Sequence, residues 1–151
     1  MTGRMSKEDN DLFYVCSLIE FIARQTKNHR KDVVNIIGYE RLFKHYEFAD
    51  VYHCDNIRKV ADDLIEISAL ENGIFDNVGD CNYMLPSYWD IGRVYQRVIK
   101  GVVHEKNIDI IEGLIEVYNG KVSTLIDDYN CGFYYEYSKN IVITHLTGAM
   151  F

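Results

Sequence analysis

Four carboxylates recur at regular intervals in the second half of the chain. Glu105, Asp109, Glu112 and Glu116 follow one another at steps of four, three and four residues. On an α-helix this spacing places all four side chains on one narrow stripe. Such a row can supply general acids and bases, ligate a divalent cation or bind a basic protein. Most rows of this kind are solvated helix faces. Among functional roles, the pattern favours an acidic ridge that binds a basic partner.

A short aromatic segment lies beyond the ridge and combines carboxylate and tyrosine side chains. Asp128 and Tyr129 precede Tyr134 and Tyr135. Tyrosines in a helical domain commonly close the core. They also anchor interfaces, because a rigid ring buries a large area and keeps a polar end. We therefore predict that these four residues, together with the acidic ridge, form a partner-binding surface.

Motifs for catalysis, metal binding or phosphate binding are missing from the sequence. It contains no CxxC, HxxxH or HExxH spacing, no GxSxG and no glycine-rich phosphate loop. His53 and Cys54 are adjacent, so they point in different directions on any regular element. The sequence therefore predicts no metal, no cofactor and no catalytic residue. An alternative stays open: a small-ligand-binding protein or an enzyme with a pocket near His53, Cys54 and the irregular segment 73–86.

Charge and composition restrict the class of partner. The 151 residues carry a net charge of −7, and residues 61–151 hold six Lys and Arg against fourteen Asp and Glu. An acidic surface repels phosphate backbones, so we expect a protein partner and no nucleic acid. The chain has no apolar run of about 20 residues, which excludes a predicted membrane span. Four widely spaced cysteines without a signal peptide favour the reducing cytoplasm.

Helices must position these residues, because apolar side chains recur at steps of three and four along most of the chain. The longest pattern predicts a central helix near 108–127, although Asn119-Gly120 leaves open an earlier end. Further helices are expected at about 9–26, 30–37, 39–49 and 56–72, with another starting after Ser87. The expected fold class is all-α, an irregular six- to seven-helix bundle around the central helix.

The remaining segments set the limits of the domain. Residues 1–8 are expected to be a flexible tail before a single helical domain, 9–151. Val51–Cys54 is expected to be an extended link, and 73–86 a long loop. Residues 133–147 have strand propensity, but Ser138 can also cap a helix there. We favour the helix, since nothing else in the chain offers a partner strand.

Three stretches within residues 45–148 carry a resemblance to a known group of proteins. They are ADVYHC at 49–54, LPS with DIG and YQR within 85–97, and DYN with FYYE within 128–136. Together they resemble small acidic bacterial proteins that look similar to partners of ADP-ribosyltransferase-like toxins. The resemblance implies an antitoxin-like or accessory role and a basic, toxin-like enzyme as the partner. It transfers no active-site residue, and the chain departs from the pattern at Gly120 and Lys139-Asn140.

Overall fold

The structure is a computed structural model that describes residues 5–150. Met1–Arg4 and Phe151 lie outside the described residues, and so does half of the predicted tail. The described part contains eight α-helices, one 3₁₀ turn and no strand, which confirms the predicted all-α class. The helices are α1 Lys7–Thr26, α2 Arg30–Glu47, α3 Ala49–Tyr52, α4 Ile57–Ser68, α5 Tyr88–Lys106, α6 Ile110–Tyr118, α7 Lys121–Asp127 and α8 Ser138–Thr147.

Helices α1 and α5 form the centre of the bundle. They pack against each other more extensively than any other pair, and both bury long apolar faces. A Cβ atom on Gly92 of α5 would lie 2.8 Å from the backbone nitrogen of Ser17 in α1. Only glycine permits this approach without a shift of one helix. The bundle is therefore organised around α1 and α5 rather than around residues 108–127.

The predicted helix near 108–127 is two helices. Helix α5 extends to Lys106, and Asn107 turns the backbone with a φ of 52°. Helix α6 starts after Asp109 and ends at Tyr118, and Gly120 then adopts an extended conformation before α7. The helix therefore ends at Asn119-Gly120, the earlier end that the sequence left open. The break matters for the site, since it turns α7 back toward the start of α2.

Smaller differences from prediction have local causes. Helix α1 begins at Lys7 because the Ser6 side chain caps the amide of Asp9. Gly38, with a φ of 82°, interrupts α2 where two helices were expected. The extended link predicted at Val51–Cys54 is wrong, because Ala49–Tyr52 forms a helical turn whose Ala49 is buried. The helix expected after Ser87 is present as α5, and Ser87 and Asp90 form a capping box at its start.

The C-terminal segment is helical, as favoured. Phe133–Tyr135 is a 3₁₀ turn, and α8 follows until Gly148, which has a φ of 77°. Tyr137 occupies the N-cap without a side-chain hydrogen bond, so Ser138 does not cap this helix. Among residues 5–150, no helix combines the length and the apolar composition needed to cross a membrane.

Candidate functional site

The four carboxylates of the predicted acidic ridge do not form one stripe. Glu105 lies in the last turn of α5, whereas Glu112 lies on α6 beyond the turn at Asn107. Asp109 caps α6 by accepting hydrogen bonds from the amides of Ile111 and Glu112. Glu116 accepts hydrogen bonds from Lys106 at 2.6 Å and from the His145 ring at 2.7 Å. Two of the four side chains are thus already engaged in holding helices.

The predicted tyrosine surface is also divided. Tyr129 and Tyr134 are buried, with 3% and 8% of their surfaces exposed, so they cannot act as exposed anchors. Tyr135 is 79% exposed, and Asp128 is exposed at the end of α7. The sequence could not show which tyrosines are buried, because adjacent residues of the 3₁₀ turn, such as Tyr134 and Tyr135, point to different sides.

The alternative pocket near His53 and Cys54 does not include the segment 73–86. His53 lines a shallow cleft with Asp50 and Trp89, and its ring packs against Tyr14. Cys54 is exposed and lies 3.3 Å from the Asp50 carbonyl oxygen. The irregular segment instead borders a different pocket. The combined site is therefore not formed, although a pocket at this segment is present.

That pocket, which we call the α2–α7 pocket, has a volume of about 590 Å³. It opens between the start of α2, the loop after α4 and the end of α7. Its lining comprises His29, Arg30, Lys31, Phe75, Asn77, Asp80, Tyr118, Ser123, Thr124, Asp127, Asp128, Tyr129 and Asn130.

The loop between α4 and α5 forms one wall and is fastened to α7. Asn77 is buried and donates a hydrogen bond to the Asp127 carbonyl oxygen at 2.9 Å. Asn130 donates to the Asp80 carbonyl oxygen at 3.0 Å and accepts from the Asn82 amide at 2.8 Å. These bonds hold two irregular segments together. The wall is therefore shaped by side-chain amides rather than by secondary structure.

A buried ion cluster forms the floor of the pocket. Arg30 of α2 is fully buried and holds both carboxylate oxygens of Glu20 in α1, at 2.9 Å and 2.6 Å. Arg24 donates to the same carboxylate at 2.7 Å, and the Tyr129 hydroxyl donates to it as well. Although burial opposes its charge, these arginines hold the pKa of Glu20 below its usual value. Two arginines thus share the single carboxylate of Glu20 inside the protein.

Asp127 is the second buried carboxylate beside the pocket. The Tyr95 hydroxyl donates to it at 2.7 Å, and Tyr95 also lies 2.8 Å from the Ser123 hydroxyl. Burial raises the pKa of Asp127 to about 7, and the negative charge of Glu20 adds to the shift against the opposing pull of Arg30. The group therefore changes its protonation near neutral pH.

One hydroxyl at this site lacks a nitrogen or oxygen partner among residues 5–150. The Tyr118 side chain lines the pocket and is 1% exposed, and its hydroxyl lies beside the buried Cys16 thiol, a weak partner. Within the same residues, no group of three or more His, Cys, Asp and Glu side chains is placed to hold a metal ion.

Sequence reasoning missed Glu20 and Arg30, although a signal for each existed. Glu20 falls four residues after Cys16 and three before Ala23 on the apolar face of α1. Arg30 lies three residues before Val33 and four before Val34 on the apolar face of α2. A charged residue at a core position of a helix must be paired or functional.

The chain matches no protein-family model, no curated protein and no solved structure. Its resemblance to partners of toxin-like enzymes stays a prediction, and the site has to be interpreted from its own geometry.

Proposed function

We propose that the protein binds a small polar molecule carrying a positively charged group in the α2–α7 pocket, without catalysing a reaction. The observation that carries this proposal is the charge balance of the pocket. Three aspartates, Asp80, Asp127 and Asp128, line it against two basic side chains, Arg30 and Lys31, and the Arg30 guanidinium is paired with Glu20. An ammonium or guanidinium group would be attracted to such a surface.

The other lining groups agree with a polar ligand. The exposed Asn130 and Thr124 side chains line the pocket and can donate or accept hydrogen bonds. His29 and Phe75 stack at 3.9 Å between ring centroids, and the Arg30 guanidinium already lies 5.8 Å from the Phe75 centroid, so the His29 ring is the part of this wall left for a ligand. Lys31 also lines the pocket but is exposed to water. The volume of the pocket lies in the usual range of small-molecule sites, and its mostly polar lining residues suit a polar ligand.

A pair of matched substitutions tests the proposal. Thr124 is exposed and lines the pocket, so Thr124→Trp should fill it, whereas Thr147→Trp changes an exposed threonine on α8. We expect at least one member of a panel of small amines and guanidines to raise the melting temperature of the wild type and of Thr147→Trp. The same compound should not stabilise Thr124→Trp. Equal stabilisation of both variants, or none of the wild type, would reject the pocket as a cation site.

Protonation of Asp127 gives a second readout. The carboxylate form attracts a cation, so affinity should weaken as the pH falls below about 7. Asp127→Asn should remove this pH dependence and weaken binding about tenfold, the effect of losing one charge-assisted contact. Isothermal titration of the compound between pH 5.5 and pH 8.5, values on the order of one to two units around the group, gives both quantities.

Binding of a protein partner is the second candidate function. The observation that favours it is a set of large side chains in water: Tyr83, Met84, Tyr135 and Tyr137 are between 71% and 88% exposed. An antitoxin- or immunity-like role, a toxin-like partner and a cytoplasmic location belong to this proposal. They are supported by the resemblance, by the acidic net charge and by four free cysteines. Copurification of one stoichiometric protein from the native host tests it.

A further inference from the structure

The α2–α7 pocket presents uncommitted charges of both signs. Lys31 at the start of α2 is exposed and lines the pocket, and it forms no ion pair or side-chain hydrogen bond within the described part of the chain. The carboxylates of Asp80, Asp127 and Asp128 line the same pocket and are also without an ion pair among residues 5–150. The basic and the acidic side chains of the lining therefore do not neutralise one another.

Arg30 does not supply a second free cation. Its guanidinium is fully buried and donates to both carboxylate oxygens of Glu20, at 2.9 Å and 2.6 Å. Arg24 donates to the same carboxylate at 2.7 Å. The three aspartates of the lining and Glu20 thus face three basic side chains, which leaves one negative charge in excess when Asp127 is ionised. Lys31 is the basic side chain of the lining that is left for a ligand.

The start of α2 strengthens the positive end of the pocket. His29 occupies the N-cap of α2 without a side-chain hydrogen bond, so the cap supplies no acceptor to the first amides of the helix. These amides carry the partial positive charge of a helix N-terminus. Asp32 lies in the same turn but is not part of the lining. An anionic group beside Lys31 is therefore favoured both by the ammonium charge and by the helix dipole.

The opposite end of the pocket has acceptors for an ammonium group. Asn77 is buried, lines the pocket and donates its Nδ2 atom to the Asp127 carbonyl oxygen. Its Oδ1 atom accepts no hydrogen bond within the described residues, so it is left to accept one from a ligand. An ammonium group has three N–H donors and no acceptor. The carboxylates of Asp127 and Asp128 and the Asn77 amide match this donor set.

We infer that the ligand of the α2–α7 pocket is a zwitterion of amino-acid type, whose ammonium group binds Asp127 and Asp128 and whose carboxylate binds Lys31. The inference rests on the proposed small-molecule function and narrows the positively charged molecule to one that also carries a carboxylate. A ligand with a positive charge alone would leave Lys31 unpaired and would be repelled by it. The His29 ring is the flat surface that remains for the side chain of the ligand.

Paired probes distinguish a zwitterion site from a site that attracts cations only. Arginine and agmatine, lysine and cadaverine, and tyrosine and tyramine differ within each pair by one carboxylate. A site for cations alone binds the amine more tightly, because the amine has the larger net positive charge. The site inferred here binds the amino acid of at least one pair about tenfold more tightly, the effect of one additional charge-assisted contact. Isothermal titration of the full chain at about pH 8, above the pKa of Asp127, measures both affinities.

Lys31→Met tests the carboxylate contact directly. It should weaken binding of the preferred amino acid about tenfold, whereas the matching amine should bind as before or more tightly, because a like charge is removed. Lys31→Arg keeps the charge and should keep the preference. Lys44→Met is the matched control, since Lys44 is an exposed lysine of the same helix outside the lining. Circular dichroism of the three variants checks that they fold.

The remaining outcomes separate this inference from the proposed function. Amines that bind at least as tightly as their amino acids, and lose binding in Thr124→Trp, would reject the zwitterion and keep the cation site. An amino-acid preference that survives Lys31→Met would reject the inference, because the carboxylate would then bind elsewhere. Absence of binding by every probe, or equal binding to the wild type and to Thr124→Trp, would reject both the zwitterion and the cation site.

Discussion

The acidic ridge and the floor of the α2–α7 pocket both contain charged side chains. Those of the ridge that make no contacts are exposed to water, whereas those of the floor are buried and paired with one another. The ridge residues Glu105 and Glu112 are exposed, and water screens them. The floor buries Glu20 and Arg30 almost completely and pairs them at 2.6 Å. Surface pairs contribute about 0–1 kcal/mol, whereas breaking a buried pair costs several kcal/mol.

This difference shows which charges of the chain carry structural and chemical consequences. The ridge is conspicuous because its spacing is regular, but that regularity spans the turn between α5 and α6. The floor is inconspicuous in the sequence because its charged members are not regularly spaced, and Tyr129 meets Glu20 across 109 positions. A buried charge needs all of its partners, so removal of one partner should lower the stability of the whole fold.

Arg30→Met should have the largest effect. It removes the guanidinium that holds both Glu20 oxygens and leaves the carboxylate with Arg24 and Tyr129. We expect a loss of about 3 kcal/mol in the free energy of unfolding, measured by urea denaturation. Arg58→Met, at an exposed arginine of α4 whose guanidinium lies 5.8 Å from the Phe21 ring centroid, should change it by no more than about 1 kcal/mol.

A triple variant separates pairing from packing. Arg24→Met, Glu20→Leu and Arg30→Met together remove all three charges of the floor and keep apolar volume, so the triple variant should recover part of the stability lost in Arg30→Met alone. A triple variant less stable than Arg30→Met would contradict this account of the floor.

Asp127→Asn should change how stability depends on pH. The pKa of Asp127 is raised to about 7 in the folded protein, whereas the unfolded value is about 4, so the folded state binds the proton more tightly. The contribution of this group is fully present below about pH 4 and is lost as the pH rises toward 7. Asp127→Asn should therefore flatten the decline between these values, which is on the order of 2–4 kcal/mol for a fully buried carboxyl.

Glu20 provides the internal contrast for that measurement. Its folded pKa is depressed, so its contribution is present above about pH 4.5 and is lost as the pH falls below that value. Urea denaturation from pH 3 upward, on the order of one unit below the ordinary carboxyl pKa, should show both slopes in the wild type. An unchanged slope between pH 4 and pH 7 in Asp127→Asn would overturn the assignment.

Apolar periodicity was enough to predict the fold class, because helices of this bundle bury continuous faces. It located α1, the start of α5 and the helix within 133–147. It failed between α5 and α7, since apolar residues keep a step of three or four across the turns at Asn107 and Gly120. Turn geometry there depends on single residues with little weight in a periodic pattern.

The pocket was predictable only in part. The segment 73–86 was correctly taken as a long loop with a role in a pocket, whereas its partner was wrongly placed at His53 and Cys54. The loop finds α7 through Asn77, whose amide bonds a backbone carbonyl 50 positions away. Such a contact leaves no periodic signal. Glu20 and Arg30 did leave one, as charged residues at core positions of amphipathic helices.

The smallest of the three stability effects divides the ridge itself. Asp109 accepts two amides at the start of α6 and the Tyr39 hydroxyl at 2.8 Å, while the Glu112 side chain makes no hydrogen bond within the described residues. Asp109→Ala should cost about 1 kcal/mol, the usual value of an N-cap, and Glu112→Ala less than about 0.5 kcal/mol. Urea denaturation gives both numbers, and hydrogen exchange at the amides of Ile111 and Glu112 should accelerate only in Asp109→Ala. Equal losses of stability in the two variants would mean that the ridge acts as one electrostatic surface. A larger loss in Asp109→Ala would mean that the regular spacing brings together residues with different roles, a helix cap and a solvated side chain. The charges that matter most for stability would then be the buried ones.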